Sequence, residues 1–218
     1  MNVALATGFF EGETEMKIAL VGSTGNIGSR VLAEALGRKH LVIGITRDPE
    51  KLAARDGLTV RKANTHDVKG LAEALRGSDA AIVAVKWNEN DIAEVIEAVR
   101  ESGVKRALFV VGAGSLLRDD GRLHFDHTAE KGAPPPSSKP AMLALDALKK
   151  ISDLDWTAIS PSADIQPGER TGVFRLGLDH LIQDAEGRSR ISREDFAIAI
   201  LDELEKPQHI HQRFTAGY

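Results

Sequence analysis

Three evenly spaced glycines, set between an apolar run and an amphipathic stretch, constrain the fold of this chain more than any other feature. Residues Lys17–Val21 read as a short strand, and Gly22-Ser23-Thr24-Gly25-Asn26-Ile27-Gly28 follows at once. Across residues 26–38, Ile27, Val31 and Ala35, joined by Leu32 and Leu36, recur at the period of a helix with one buried face. Strand, glycine turn and helix in that order open a βαβ unit, which implies a parallel sheet.

The alternation continues. Strands are expected at Leu41–Thr46, Leu58–Lys62, 80–85, 106–111 and Asp155–Ser160. Between them lie a short helix opened by Pro49, an amphipathic helix over Val68–Leu75, and a helix over 141–151. A further helix carries Ile92, Val95, Ile96 and Val99, with Asn88 or Asn90 as its cap and Gly103 as its stop. Residues 116–140 are polar, contain Pro134, Pro135 and Pro136, and read as a mobile lid or binding loop. After Pro161 the alternation fades into short extended pieces around 173–176. A helix over Arg193–Glu205 follows, with Ala197, Ile200, Leu201 and Leu204 inward, and then a closing strand over 213–218. The expected architecture is one α/β domain over 16–218, a doubly wound parallel sheet with 161–218 as a small annex on the substrate side. Residues 1–15 read as a loosely ordered extension.

Composition narrows the function. A net charge of −4 argues against nucleic-acid binding, which usually concentrates basic residues on one face. The absence of cysteine removes disulfides, thiolate metal sites and cysteine nucleophiles, and it fits a reducing cytoplasm. No apolar run is long enough for a membrane span, and residues 1–15 lack the basic start and apolar core of an export signal. The pairs His124/His127 and His209/His211 have no clear scaffold, so no metal site is expected. Ser115 follows Gly112-Ala113-Gly114 at a strand end, without the strand–turn–helix elbow of a hydrolase nucleophile.

The glycine loop itself points to a dinucleotide. Gly22 would allow the sharp turn, Gly25 the approach of a pyrophosphate, and Gly28 tight packing of the helix on the sheet. The exposed amides and dipole at the helix start would meet the phosphates. At the end of the second strand stands Thr46-Arg47-Asp48. Arg47 suits the 2′-phosphate of NADP, which makes NADP the preferred cofactor. In the alternative, Asp48 holds the ribose of NAD and Arg47 is a solvated loop residue.

The loop, the Arg47-Asp48-Pro49-Glu50-Lys51-Leu52 segment and the strand order resemble the atypical, NAD(P)H-binding branch of the short-chain dehydrogenase/reductase superfamily, a Rossmann-type fold. Several later segments look more closely like the NADH-flavin reductase family, a relative of the biliverdin-reductase-B-like proteins. They are Asp155-Trp156-Thr157, Ser160-Pro161-Ser162-Ala163, Pro167-Gly168-Glu169-Arg170-Thr171-Gly172, Ile191-Ser192-Arg193-Glu194-Asp195-Phe196-Ala197 and Arg213-Phe214-Thr215. The resemblance implies that Asp67 and Val68 hold the adenine and that Ala84, Val85 and Lys86 line the adenosine ribose. It also implies that Gly112, Ala113, Gly114, Ser115, Ser160, Pro161, Ser162 and Ala163 flank the nicotinamide. The plainer alternatives are that Asp67 only caps a helix and Ser115 only turns the chain. Glu169 and Arg170 either line a substrate rim or pair at a turn.

One departure from the superfamily bears on chemistry. Carbonyl-reducing members use a Tyr-x-x-x-Lys pair, but the only tyrosine here is Tyr218. Lys139 is the one lysine in a comparable place, and Ser115 and Lys139 are the remaining candidates for an acid or orienting role. A flavin or quinone-like acceptor spreads its charge over a conjugated ring and can take its proton from water. The expected function is therefore NAD(P)H-dependent reduction of a flavin or related small-molecule acceptor. The alternative is a non-catalytic redox sensor of the NmrA-like kind. The sequence leaves the oligomeric state open.

Overall fold

Successive residues of a strand point to opposite faces of its sheet, and in strand β1 (Lys17–Val21) both faces are apolar. Ile18 and Leu20 enter one core, Ala19 and Val21 the other, and all four are buried. Such a strand is stable only inside a sheet covered on both sides. The computed structural model describes residues 15–132 and 134–218 and has this arrangement.

The strands are β1, β2 (Leu41–Thr46), β3 (Leu58–Lys62), β4 (Ala80–Val83), β5 (Arg106–Val110), β6 (Asp155–Ser160), β7 (Asp164–Gln166), β8 (Arg175–Gly177), β9 (Arg190–Ser192) and β10 (Gln212–Gly217). Eight of them form one sheet in the order β3-β2-β1-β4-β5-β6-β10-β8. Every pairing in it is parallel except β10 with β8. Helices α1 (Gly28–Gly37) and α6 (Arg193–Glu205) cover one face. Helices α2 (Val68–Leu75), α3 (Ile92–Ser102) and α5 (Ser138–Leu148) cover the other. This is a doubly wound, Rossmann-like fold. The strand order reverses between β1 and β4, so a crevice opens beyond their carboxyl ends.

The structure departs from the sequence reading in several places. Helix α3 is capped by Asp91, whose carboxylate accepts the Ala93 amide at 2.8 Å, and not by Asn88 or Asn90. Residues 116–140 are not one irregular connection. They contain helix α4 (His124–Glu130), and Leu117 bridges to both Leu123 and His180. The expected annex is largely part of the main body: β8 and β10 extend the sheet and α6 packs on α1. Only β7 and β9 pair apart from it, as a two-stranded parallel sheet.

Polar networks fix this C-terminal region. The Glu34 carboxylate receives two hydrogen bonds from Arg170 at 2.8 Å and one from Arg38 at 2.8 Å. These contacts, led by the Arg170 pair and opposed by burial, hold the Glu34 carboxyl below the usual carboxylate range. Arg170 thus pairs with Glu34 on α1 and not with neighbouring Glu169. Asp195 accepts the amides of Thr171 and Gly172 and the hydroxyls of Thr171 and Tyr218. Burial acts to raise its pKa, but these bonds outweigh it and hold Asp195 low. Residues 1–14, which carry nearly all of the proposed N-terminal extension, lie outside the described residues.

Candidate functional site

The loop between β1 and α1 is shaped by contacts no larger residue would permit. Gly22 has φ +84°, and a Cβ there would lie 2.3 Å from the Ala84 carbonyl oxygen. Gly28 has no room for a side chain either, because its Cβ would lie 2.1 Å from the Gly22 carbonyl oxygen. Its packing partner is therefore the loop itself, where the sequence reading assigned it to the helix–sheet contact. Gly25 is exposed and its amide donates to the Gly22 carbonyl at 2.9 Å. Helix α1 begins without a side-chain cap and without an acidic residue in its first turn. A helix start of this kind is a favourable place for an anion.

Two hollows lie along the crevice. The first, about 220 Å³, is bordered by Gly22, Thr24, Gly25, Thr46, Arg47 and Lys86, with Ala63, Thr65, Glu89 and Asn90 opposite. The second, about 280 Å³, is walled by Ile27, Val110, Gly112, Ala113, Gly114, Pro161 and Ala163, with His124 and Ser138 among its polar members. Val85 and Lys86 line both, so the hollows meet. Together they reach the ~300–1,000 Å³ of typical small-molecule sites.

At the far end of the first hollow Arg47 is exposed and, among the described residues, makes no ion pair. Asp48 is engaged differently. Its carboxylate receives the Lys51 ammonium at 2.6 Å, which holds it below the usual carboxylate range, and it does not border the hollow. The one acidic residue on that hollow is Glu89, which faces Lys86 at 3.5 Å.

A family model for NAD(P)H-binding proteins matches residues 22–207, a stretch that includes the glycine loop, the second hollow, all of the first but Val21, and α6. The chain belongs to this NAD(P)H-binding family. It is 34% identical over 208 residues to the uncharacterized protein YwnB of Bacillus subtilis (strain 168), covering 92% of this chain and 97% of that protein. A solved structure from Bacteroides thetaiotaomicron, provisionally designated an epimerase, is 40% identical with a TM-score of 0.86 and covers 94% of this chain and 98% of its own. Another, from Streptococcus pneumoniae TIGR4 and provisionally designated an NADH-flavin reductase, is 30% identical with a TM-score of 0.78 and covers 93% and 99%. The family shares the cofactor class, whereas these designations name different chemistries.

Within this family fold, the residues singled out from the sequence divide into two groups. Gly22, Thr24, Gly25, Arg47, Ala84, Val85 and Lys86 border the first hollow, and Ile27, Gly112, Ala113, Gly114, Pro161, Ser162 and Ala163 the second. The others do not line either hollow. Ser23 is fully buried and donates to the Ile45 carbonyl at 3.2 Å. Asn26 is exposed on the loop beside it, and Gly28 is buried beneath. The Asp67 carboxylate accepts the Gly70 amide at 3.0 Å, so it caps α2, and Val68 packs against the core.

The two proposed catalytic side chains are also placed elsewhere. The Ser115 hydroxyl accepts from Arg213 at 3.2 Å, and Lys139 is exposed on α5 outside both hollows. Ser160 donates to the Gly112 carbonyl at 3.0 Å and accepts from Arg213 at 3.3 Å. Arg213 also pairs with Asp179, so this buried guanidinium binds the ends of β5 and β6 to the segment around residue 179. Tyr218, the only tyrosine, serves Asp195.

Among the crevice residues that were not anticipated are Thr65, Asn90 and His124. Thr65 donates to Asn90 at 2.5 Å, and Asn90 to the Lys86 carbonyl at 2.6 Å, which closes the rim of the first hollow. His124 enters the second hollow from α4. Thr65 and Asn90 are 25 residues apart, and no local pattern announces their meeting. Among the described residues there is no cluster of three or more histidine or acidic side chains able to hold a metal, and no helix is long and apolar enough to cross a membrane.

Proposed function

We propose that this chain is an NADPH-dependent oxidoreductase that passes hydride to a flavin or a related planar acceptor. One observation carries the reading: a continuous crevice joins an uncapped helix start, an Arg47 with no ion pair among the described residues, and an apolar hollow at the ends of β5 and β6. The cradle fits the cofactor chemically. Gly25 keeps the loop surface bare, the amide end of α1 would take the pyrophosphate, and Arg47 would take a 2′-phosphate. Asp48, the residue that would favour NAD, is held by Lys51.

Bound there, the dihydronicotinamide supplies the hydride. The chain's part is to orient and to exclude water. Its apolar wall of Val110, Ala113, Pro161 and Ile165 would seat a flat ring against the cofactor. No tyrosine borders the hollow, so an acceptor that takes its proton from water suits it better than a ketone, and better than the acid–base chemistry of an epimerase.

The test has two arms. NADPH should bind more tightly than NADH, and Arg47→Glu should shrink or invert that preference. A charge-assisted pair is worth about 1.5–3 kcal/mol, or roughly tenfold to a hundredfold in affinity. Equal affinity for both cofactors in the parent protein would overturn the NADPH assignment. Anaerobic oxidation of NADPH should then be screened with riboflavin, FMN and quinones. Tight NADPH binding with no oxidation by any of them would move the chain to the sensor class.

A further inference from the structure

Among the described residues, three buried side-chain atoms have no hydrogen-bond partner: Oγ of Ser78, Nε of Arg106 and Nδ1 of His124. Only His124 borders either hollow. A buried ring nitrogen without a partner is destabilising, and such an orphan requires an explanation, of which a functional role is one.

Several other polar groups in or near this hollow are engaged. Thr128 donates to the carbonyls of His124 and Phe125, Ser162 to the carbonyl of Ala216, and Ser160 to that of Gly112. Ser115 is held by Arg213. Lys86 faces Glu89. The backbone of His124 is fixed, since its amide donates to the Leu116 carbonyl at 2.8 Å. Helix α4 also packs on the turn after β5: a Cβ at Gly114 would meet that of Phe125 at 3.5 Å. His124 is therefore a positioned imidazole whose ring borders the hollow where the resemblance puts the nicotinamide, with its Nδ1 buried and unpartnered among the described residues.

We propose that His124 binds the acceptor by donating its ring N–H to a carbonyl oxygen of a planar quinone or isoalloxazine ring. This inference rests on the oxidoreductase reading and adds the group that selects the substrate. Burial, reinforced by Arg118 and His127, holds the imidazole below the ordinary histidine range. The ring is thus neutral at pH 7 and acts as a hydrogen-bond donor, not as an acid. NADPH is oxidised to NADP⁺ as its hydride adds to the acceptor ring. The electron pair collects on the oxygen facing His124, and a proton from water completes the reduced acceptor.

The test uses menadione, a quinone with two ring carbonyls, and protein saturated with NADP⁺, so that no hydride is present. Calorimetry should detect menadione binding, and the ¹⁵N ring signals of His124 should move on saturation. His124→Phe should weaken menadione about tenfold, the worth of one buried hydrogen bond. It should leave NADP⁺ affinity within about twofold. His124→Gln, which keeps an N–H donor, should recover most of the loss. Parent-like menadione affinity in His124→Phe, or ring signals that do not move, would overturn the proposal. Binding of NADP⁺ without menadione refutes this inference alone, whereas failure to bind NADP⁺ refutes the cofactor reading and this inference with it.

Discussion

Adding a single methyl group at Gly28 tests how the glycine loop couples stability to cofactor binding. In Gly28→Ala the new Cβ would lie 2.1 Å from the Gly22 carbonyl oxygen and 2.9 Å from its carbon. Both neighbours are backbone, so no side chain can swing away. The start of α1 must retreat from the loop by about an ångström or more to restore normal contact. Overpacking of this kind costs about 1–3 kcal/mol. For a chain of this length each kcal/mol moves the melting temperature by roughly 2–4 °C, so a fall of roughly 2–12 °C is expected. The same retreat withdraws the helix amides from the pyrophosphate, so NADPH affinity should fall alongside. Gly37→Ala is the control. It lies in the last turn of the same helix with nothing within 4 Å of the added Cβ, so it should be neutral or stabilise by about 0.5–1 kcal/mol. Thermal melts and NADPH titrations of both variants provide the measurement. A Gly28→Ala protein that melts at or above the parent temperature and binds NADPH normally would refute the reasoning.

Further variants separate structural from binding roles. Glu34→Gln should destabilise the fold by about 1.5–3 kcal/mol at neutral pH, because it removes the charged acceptor of Arg38 and Arg170. Since the folded state lowers the Glu34 pKa, that contribution is present above the unfolded carboxyl range. It is lost as pH falls through the folded value, so the two melting curves should converge in acid. Asp67→Ala should cost about 1 kcal/mol through the lost cap while Asp67→Asn keeps it, with NADPH affinity unchanged in both. Weaker NADPH binding in Asp67→Asn would support the adenine role instead. Lys139→Ala should leave flavin-dependent NADPH oxidation unchanged and Ser115→Ala should reduce it only modestly, whereas losing a true general acid costs ~10²–10⁴-fold.

The elements of the first unit are legible because their causes are local. The apolar run of β1, the glycine spacing and the face of α1 all lie within about twenty residues, and periodicity alone separates strand from helix. Helix α6 was bounded correctly at Arg193–Glu205. Its buried stripe was read too narrowly, because nine of its thirteen residues are buried, leaving little amphipathic contrast in the sequence. What tertiary structure decided is which polar side chains remain free. Ser115 is engaged by a residue 98 positions away, Arg170 by one 136 away, and Ser162 by one 54 away. No window of sequence contains such pairs. His124 shows the converse, since its type and position resemble an ordinary surface helix start. Only the tertiary fold buries its Nδ1 and sets its ring against the second hollow, which makes it a candidate for binding. Local patterns thus determined the scaffold and the glycine loop. The chemistry of the second hollow depended on long-range hydrogen bonds, because a buried donor or acceptor takes whichever partner the fold brings within reach.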